Sequence, residues 1–229
     1  MGPFSDRGTA FRAYGAAVVL RNLAVAALIT LAAPAAADVR ILAFGDSLTQ
    51  GFGLPAAEGF VPRLQAWIAA NGAGDVTVVN GGVSGDTSAG GLARIAWSLG
   101  DDIDGVILEL GANDMLRGID PGVTRANLDG ILAEIGARGL PAVVAGIPAP
   151  ANYPQAYRDA YAAMFRDLAE AHGAIYYGSF LAGMGRSMRE ISRLMQSDGL
   201  HPNAEGVQAI VDHIGPVVLD LIEKARRRS

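Results

Sequence analysis

Cysteine is absent from the sequence, which excludes disulfides and thiolate-held metals outright. Positive charge is in deficit: the formal net charge is -5, which argues against nucleic acid and anionic membrane surfaces as partners. Histidine occurs only three times. No internal repeat, low-complexity tract or linker interrupts the chain. A membrane-spanning run is missing too: Arg21 splits the N-terminal apolar stretch, and the remaining "LAVAALITLAA" (Leu23 to Ala33) falls short of the ~20 residues a span needs. What is present is a globular composition. The 229 residues are half hydrophobic, with 30 glycines and 11 prolines spread along the chain. That length suits one domain able to bury a full core.

The first 37 residues differ from the rest. Arg7, Arg12 and Arg21 precede the apolar run, "PAAADV" follows it, and Ala35 and Ala37 form an A-x-A cleavage pattern before Asp38. The expectation is a signal peptide over residues 1–37 and a mature domain over 38–229; the alternative is an uncleaved N-terminal anchor. Loss of three arginines and one aspartate with that segment takes the net charge from -5 to -7. An exported chain without cysteine points to a bacterial periplasm or secretion. It would be a monomer without stable membrane insertion after cleavage.

Beyond Asp38, strand and helix patterns alternate. Short runs rich in β-branched residues stand at Val39–Phe44, Val76–Asn80, Gly105–Leu110, Ala142–Ile147 and Ala174–Tyr177. Between them, Leu128, Ile131, Leu132 and Ile135 share one helical face. Tyr161, Met164, Phe165 and Leu168 repeat the offsets, with Tyr157 one turn earlier. Val207, Ile210, Val211 and Ile214 open a last helix, expected to kink at Pro216 and to end in a solvated basic run, Arg226–Arg228. The alternation predicts an α/β fold, a parallel sheet covered by helices on both faces. In such sheets ligands bind beyond the carboxyl ends of the strands.

Those strand ends are unusually polar. The first ends in Gly45-Asp46-Ser47, the second in "NGGVSGDTSAGG" (Asn80 to Gly91), and the third in "LGANDMLRG" (Leu110 to Gly118); "SDGLHPNAEG" (Ser197 to Gly206) follows near the C-terminus. Asp198 and His201 are three apart, so one turn places carboxylate beside imidazole. That pairing fixes the ring tautomer and stabilises the imidazolium formed during proton transfer. Pro202 holds His201 extended, and Asn203 is a plausible N-cap. His172 and His213 lie on predicted helices without such a partner. Ser47, just past the first strand, is the candidate nucleophile, since a serine hydroxyl needs an adjacent base to attack; its bland alternative is a helix N-cap. The surroundings are not the G-x-S-x-G elbow, because Thr49 replaces the second glycine. Oxyanion donors would come from the backbone N–H groups of Ser47 and Gly85 and the side-chain amide of Asn113. For Gly85 a turn glycine and for Asn113 an Asx-turn are the structural alternatives.

These four blocks together resemble the SGNH (GDSL) hydrolase family. "GDSLTQG" resembles its first block, with Ser47 as nucleophile; "NGGVSGDTS" the second, with Gly85 as oxyanion donor; "GAND" the third, with Asn113; and "DGLHP" the last, with Asp198 and His201. "SGDTSAGGLARI", "LELGANDMLRG" and "PANY" (Pro150 to Tyr153) are similar to its small bacterial branch of arylesterases, acyl-CoA thioesterases I and lysophospholipases. Ala112 stands where that branch often carries glycine. The resemblance implies a three-layer, flavodoxin-like α/β/α sandwich with a five-stranded parallel sheet. It also implies an acyl-enzyme route for esters or thioesters, with aryl and short-chain esters, lysophospholipid or acyl-CoA as substrates and no metal or organic cofactor. Leu48, Asp86, Met115 and Pro150 are the expected substrate-binding residues, with Leu116 and Ile147 further candidates for an acyl groove. Two neighbouring readings are a carbohydrate O-acetylesterase and a non-catalytic periplasmic binding module. A third, a metal-dependent hydrolase, would use Asp46, Asp114, Asp198 and His201.

Overall fold

A computed structural model describes residues 38–185 and 187–228; the expected signal peptide lies outside them. Five parallel strands form one sheet: β1 (Val39–Gly45), β2 (Val76–Gly82), β3 (Gly105–Glu109), β4 (Ala142–Ala145) and β5 (Ile175–Tyr177), in the spatial order β2-β1-β3-β4-β5. The burial follows from that order. The central strands β1, β3 and β4 are enclosed nearly throughout, whereas the edge strands β2 and β5 alternate with exposed positions. A parallel strand buried on both faces must be a continuous apolar run, and "ILAF" (Ile41–Phe44), "GVIL" and "AVVA" are such runs.

The helices are α1 (Ser47–Gln50), α2 (Phe60–Ala70), α3 (Ser88–Ser98), α4 (Ala112–Leu116), α5 (Pro121–Ala137), α6 (Gln155–Ala171), α7 (Met188–Arg193) and α8 (Ala204–Arg226), with one 3-10 turn at Ala56–Glu58. Successive strand residues point to opposite faces. Ile41 and Ala43 therefore meet Phe60, Leu64, Ile210 and Ile214 from α2 and α8, while Leu42 and Phe44 meet Ile95, Ile131 and Phe165 from α3, α5 and α6. The three predicted helical faces are buried as their spacing requires. Pro216 sits on the exposed side of α8, and the helix runs through it. The basic C-terminal run is paired as well as solvated: Arg226 meets Asp75 and Arg227 meets Glu223. Among the described residues no helix is long and apolar enough to cross a membrane.

Strand order places the polar segments. From β1 the chain moves outward to β2, then returns across to β3, so the crossovers diverge between β1 and β3. That divergence is the ligand-binding switch point of doubly wound sheets. Two carboxyls are buried there, at the carboxyl ends of these strands. Glu109, opposite Gly45 in register, has no exposure. Its Oε2 accepts from the Asp46 N–H at 3.3 Å and the Thr49 hydroxyl at 2.7 Å, while Oε1 has no partner. Burial pushes Glu109 well above the usual carboxylate range, and the neighbouring Asp46 pushes it further. Asp46 is raised from 3.8 to about 6, again mainly by burial, against hydrogen bonds from Leu48 and Asn113 that pull it down. A neutral Glu109 fits a site where one oxygen goes unpaired.

Both carboxyls bind a proton more tightly in the folded chain than in the unfolded one. Their stabilising contribution is complete below the ordinary carboxylate range and is lost as pH rises through their folded pKa values. For Asp46 alone, the change between pH 7.5 and pH 5 is about 1 kcal/mol. Glu109→Gln removes one of the two raised titrations and leaves that of Asp46. The expected outcome is a urea midpoint that gains less than wild type on moving from pH 7.5 to pH 5; a difference between the two chains that is independent of pH would contradict the assignment.

Candidate active site

Asp46, not Ser47, caps α1. Its Oδ1 accepts the Leu48 N–H at 2.9 Å, which releases the Ser47 hydroxyl from the capping role that its position otherwise suggests. Ser47 is 9% exposed, and its Oγ lies 2.9 Å from Nε2 of His201. The opposite ring nitrogen, Nδ1, is 2.6 Å from Oδ2 of Asp198. Oδ1 of Asp198 accepts the backbone N–H groups of Leu200 and His201 at 2.9 and 3.1 Å. These bonds, the one with the imidazole foremost, lower the Asp198 carboxyl to about 2. Asp198, His201 and Ser47 therefore form one hydrogen-bonded line ending on a hydroxyl.

The loop that carries this line is braced. Asn203 caps α8 through Gly206 N–H at 2.9 Å, as its sequence position predicts. Gln196 N–H donates to the His201 carbonyl at 2.7 Å, and a bridge pairs Met195 with Pro202. The Gln196 amide reaches the carbonyls of Phe52 and Pro202 at 2.8 and 2.9 Å, tying the histidine loop to the serine loop. The Phe52 ring lies 4.7 Å from that of His201. Gln196 and Phe52 carried no sequence signal: a lone glutamine and a phenylalanine between two glycines have no pattern that singles them out.

The two other expected donors stand on the neighbouring strand ends. Asn113 Nδ2 donates to the second Asp46 oxygen, Oδ2, at 3.0 Å, which brings the amide beside Ser47 and leaves its other N–H free. Gly85 follows β2 with a φ of +78°, a conformation that glycine adopts without penalty. Its carbonyl accepts from Arg117 Nη2 at 2.8 Å. In the third block the glycine-only angle falls on Gly111, with a φ of +120°, while Ala112 begins α4 and, among the described residues, no non-glycine residue has positive φ. An alanine at position 112 therefore disturbs nothing.

The expected substrate-binding residues divide. Leu48 is half-buried between the two core clusters, Pro150 is exposed, and Met115 and Ile147 are core residues at 7% and 5% exposure; Leu116 is exposed. The Asp86 carboxylate is engaged by Arg94 Nε at 2.7 Å and the Thr87 N–H at 3.0 Å. The same guanidinium donates to the carbonyls of Gly81 and Gly45 at 2.9 Å and lies 3.8 Å over the Phe44 ring. Asp86 thus braces the ends of β1 and β2 through Arg94 rather than facing open space. Of the four residues weighed for a metal, Asp114 is enclosed and accepts from Ser88 and Thr124, Asp46 from Leu48 and Asn113, and no cluster of three possible metal ligands exists among the described residues. His172 pairs with Asp129 and His213 with the Tyr177 hydroxyl, each at 2.7 Å.

The chain has known relatives. A family model described as the GDSL-like lipase/acylhydrolase family matches residues 43–209. Esterase TesA of Pseudomonas aeruginosa is 34% identical over 197 residues, covering 86% of this chain and 95% of that protein. Thioesterase 1/protease 1/lysophospholipase L1 of Escherichia coli K12 is 32% identical over 200 residues, covering 85% and 90%. A crystal structure of TesA superimposes with a TM-score of 0.73 at 34% identity, over 80% of this chain and 99% of the other. By family model, relatives and fold together, the chain belongs to the GDSL-like lipase/acylhydrolase family of hydrolytic enzymes.

Proposed function

We propose that the protein is an exported serine esterase that hydrolyses carboxylic esters and thioesters through an acyl-enzyme. The observation that carries this reading is the unbroken line from Asp198 through His201 to the Ser47 hydroxyl, at 2.6 and 2.9 Å. His201 Nε2 takes the Ser47 proton as Oγ attacks the acyl carbonyl, and Asp198, ionised across the working pH range, stabilises the imidazolium. The tetrahedral oxyanion is met by the N–H groups of Ser47 and Gly85 and the free N–H of Asn113. His201 then protonates the leaving alcohol or thiol, and afterwards activates a water that releases the acid and restores the hydroxyl. The residues present supply every proton transfer, so the route needs neither metal nor organic cofactor.

Several features support the finer assignment. The relatives carry esterase, thioesterase and lysophospholipase names, and half-buried Leu48, exposed Pro150 and the edge of Met115 offer an apolar border for an acyl chain. The basic, then apolar, then A-x-A pattern of residues 1–37 supports export and release. An exported enzyme meets lysophospholipid and aryl or short-chain esters rather than cytosolic acyl-CoA, which makes those the natural substrates in this reading.

Two outcomes follow. Ser47→Ala abolishes both covalent labelling by a fluorophosphonate probe and turnover of p-nitrophenyl butyrate; turnover near the wild-type rate would end the serine route. Asn113→Ala keeps the nucleophile and the base but removes one oxyanion donor, so kcat falls by roughly 10²–10³ with little change in KM. Steady-state kinetics on the same ester check this, and a rise in KM at constant kcat would place Asn113 in substrate binding instead.

A further inference from the structure

Asn113 rides on α4, a helix of five residues, far too short to be stable by its own hydrogen bonds. Its placement must come from outside. Below, Asp114 is anchored by Ser88 and Thr124; in front, Asp46 holds the amide. Behind stands a column of tyrosines. Tyr153, Tyr157 and Tyr161 are four residues apart, which aligns them on one side of α6 and its lead-in. Their rings stack at centroid distances of 5.2 and 5.2 Å with planes 27° and 13° apart, and Phe165 closes the column edge-on at 5.9 Å.

All three hydroxyls end on the segment that carries Asn113. Tyr161 donates to the Gly111 carbonyl at 2.7 Å, Tyr153 to Met115 at 3.0 Å and Tyr157 to Ile119 at 3.0 Å. The acceptors are spaced by four, like the donors, and they bracket Asn113. Phenylalanine would supply the same stacking and apolar area. A tyrosine enclosed as completely as Tyr161, which has no exposure, adds the cost of dehydrating a hydroxyl unless it is bonded. What the hydroxyls add is therefore position. Arg117, at the end of α4, carries that position to the second donor through its bond to the Gly85 carbonyl.

We propose that Tyr153, Tyr157 and Tyr161 are positioning residues for catalysis: their hydroxyls set the height of α4 so that the Asn113 amide meets the developing oxyanion. This rests on the esterase reading of the site. The column touches no reacting atom and acts through Asn113. Tyr153 N–H also donates to the Pro150 carbonyl at 3.1 Å and its hydroxyl to Met115, so the column also joins two of the residues proposed to border an acyl chain to the segment that carries Asn113.

Conservative variants test it. Tyr161→Phe and Tyr157→Phe keep the rings and the stack. Each is expected to lower kcat on p-nitrophenyl butyrate about tenfold, as a small misplacement of a catalytic group does, with KM within about twofold of wild type. Combining Tyr161→Phe with Asn113→Ala is expected to produce no further fall beyond Asn113→Ala alone, the signature of two residues acting through one step. Urea midpoints measured alongside separate this from unfolding, because a merely structural tyrosine would lower kcat by the same factor in both backgrounds. Equal losses in the two backgrounds, or an undiminished kcat in both phenylalanine variants, would overturn the proposal while leaving the esterase reading intact. An Asn113→Ala chain as active as wild type would instead remove the donor assignment, and the column's role with it.

Discussion

The organisation of the sheet edge depends on the buried carboxyl of Asp46. One oxygen caps α1 and the other holds the Asn113 amide, at 2.9 and 3.0 Å, so a single side chain fixes both the start of the serine helix and the side chain of the proposed oxyanion donor. Burial makes ionisation of this group expensive, which is why its pKa rises to about 6. The fold accepts that expense because two directional N–H bonds compensate it. Removing the carboxyl would free both elements at once.

Around this group the site is built by layers of constraint rather than by one strong contact. Gln196 links the histidine loop to the serine loop, Arg94 gathers the ends of β1 and β2, and the tyrosine column fixes α4 from behind. Each bond is worth on the order of 1 kcal/mol, yet together they hold short segments whose own helical propensity is negligible. Preorganisation of this kind is what an oxyanion site requires, since its donors must point at charge that exists only in the transition state.

Much of this could be read from the residues. The apolar runs of β1, β3 and β4 identified a buried parallel sheet, and the Asp-x-x-His spacing with Pro202 and Asn203 identified the braced loop. Strand limits were less legible: β2 extends to Gly82, past the predicted Asn80, because its glycines still pair with Phe44 and Gly45. Glu109 looked like a strand residue and nothing more; its meaning depends on a neighbour 63 positions away. Tyr157 and Tyr161 are legible as part of an apolar helical face, and Tyr153 only as the end of "PANY", but neither pattern says where hydroxyls end. Asp86 is expected to bind substrate by resemblance alone, and only the fold brings Arg94 across to pair with it. In each case the missing information was a long-range contact, which local spacing does not encode.

The bond between Ser47 and His201 joins residues 154 positions apart. A chain still emerging from its ribosome holds the hydroxyl long before it holds the ring, so a nascent or truncated form that stops short of the last loop lacks the bond between them. The line from Asp198 through His201 to Ser47 is complete only when that final stretch docks.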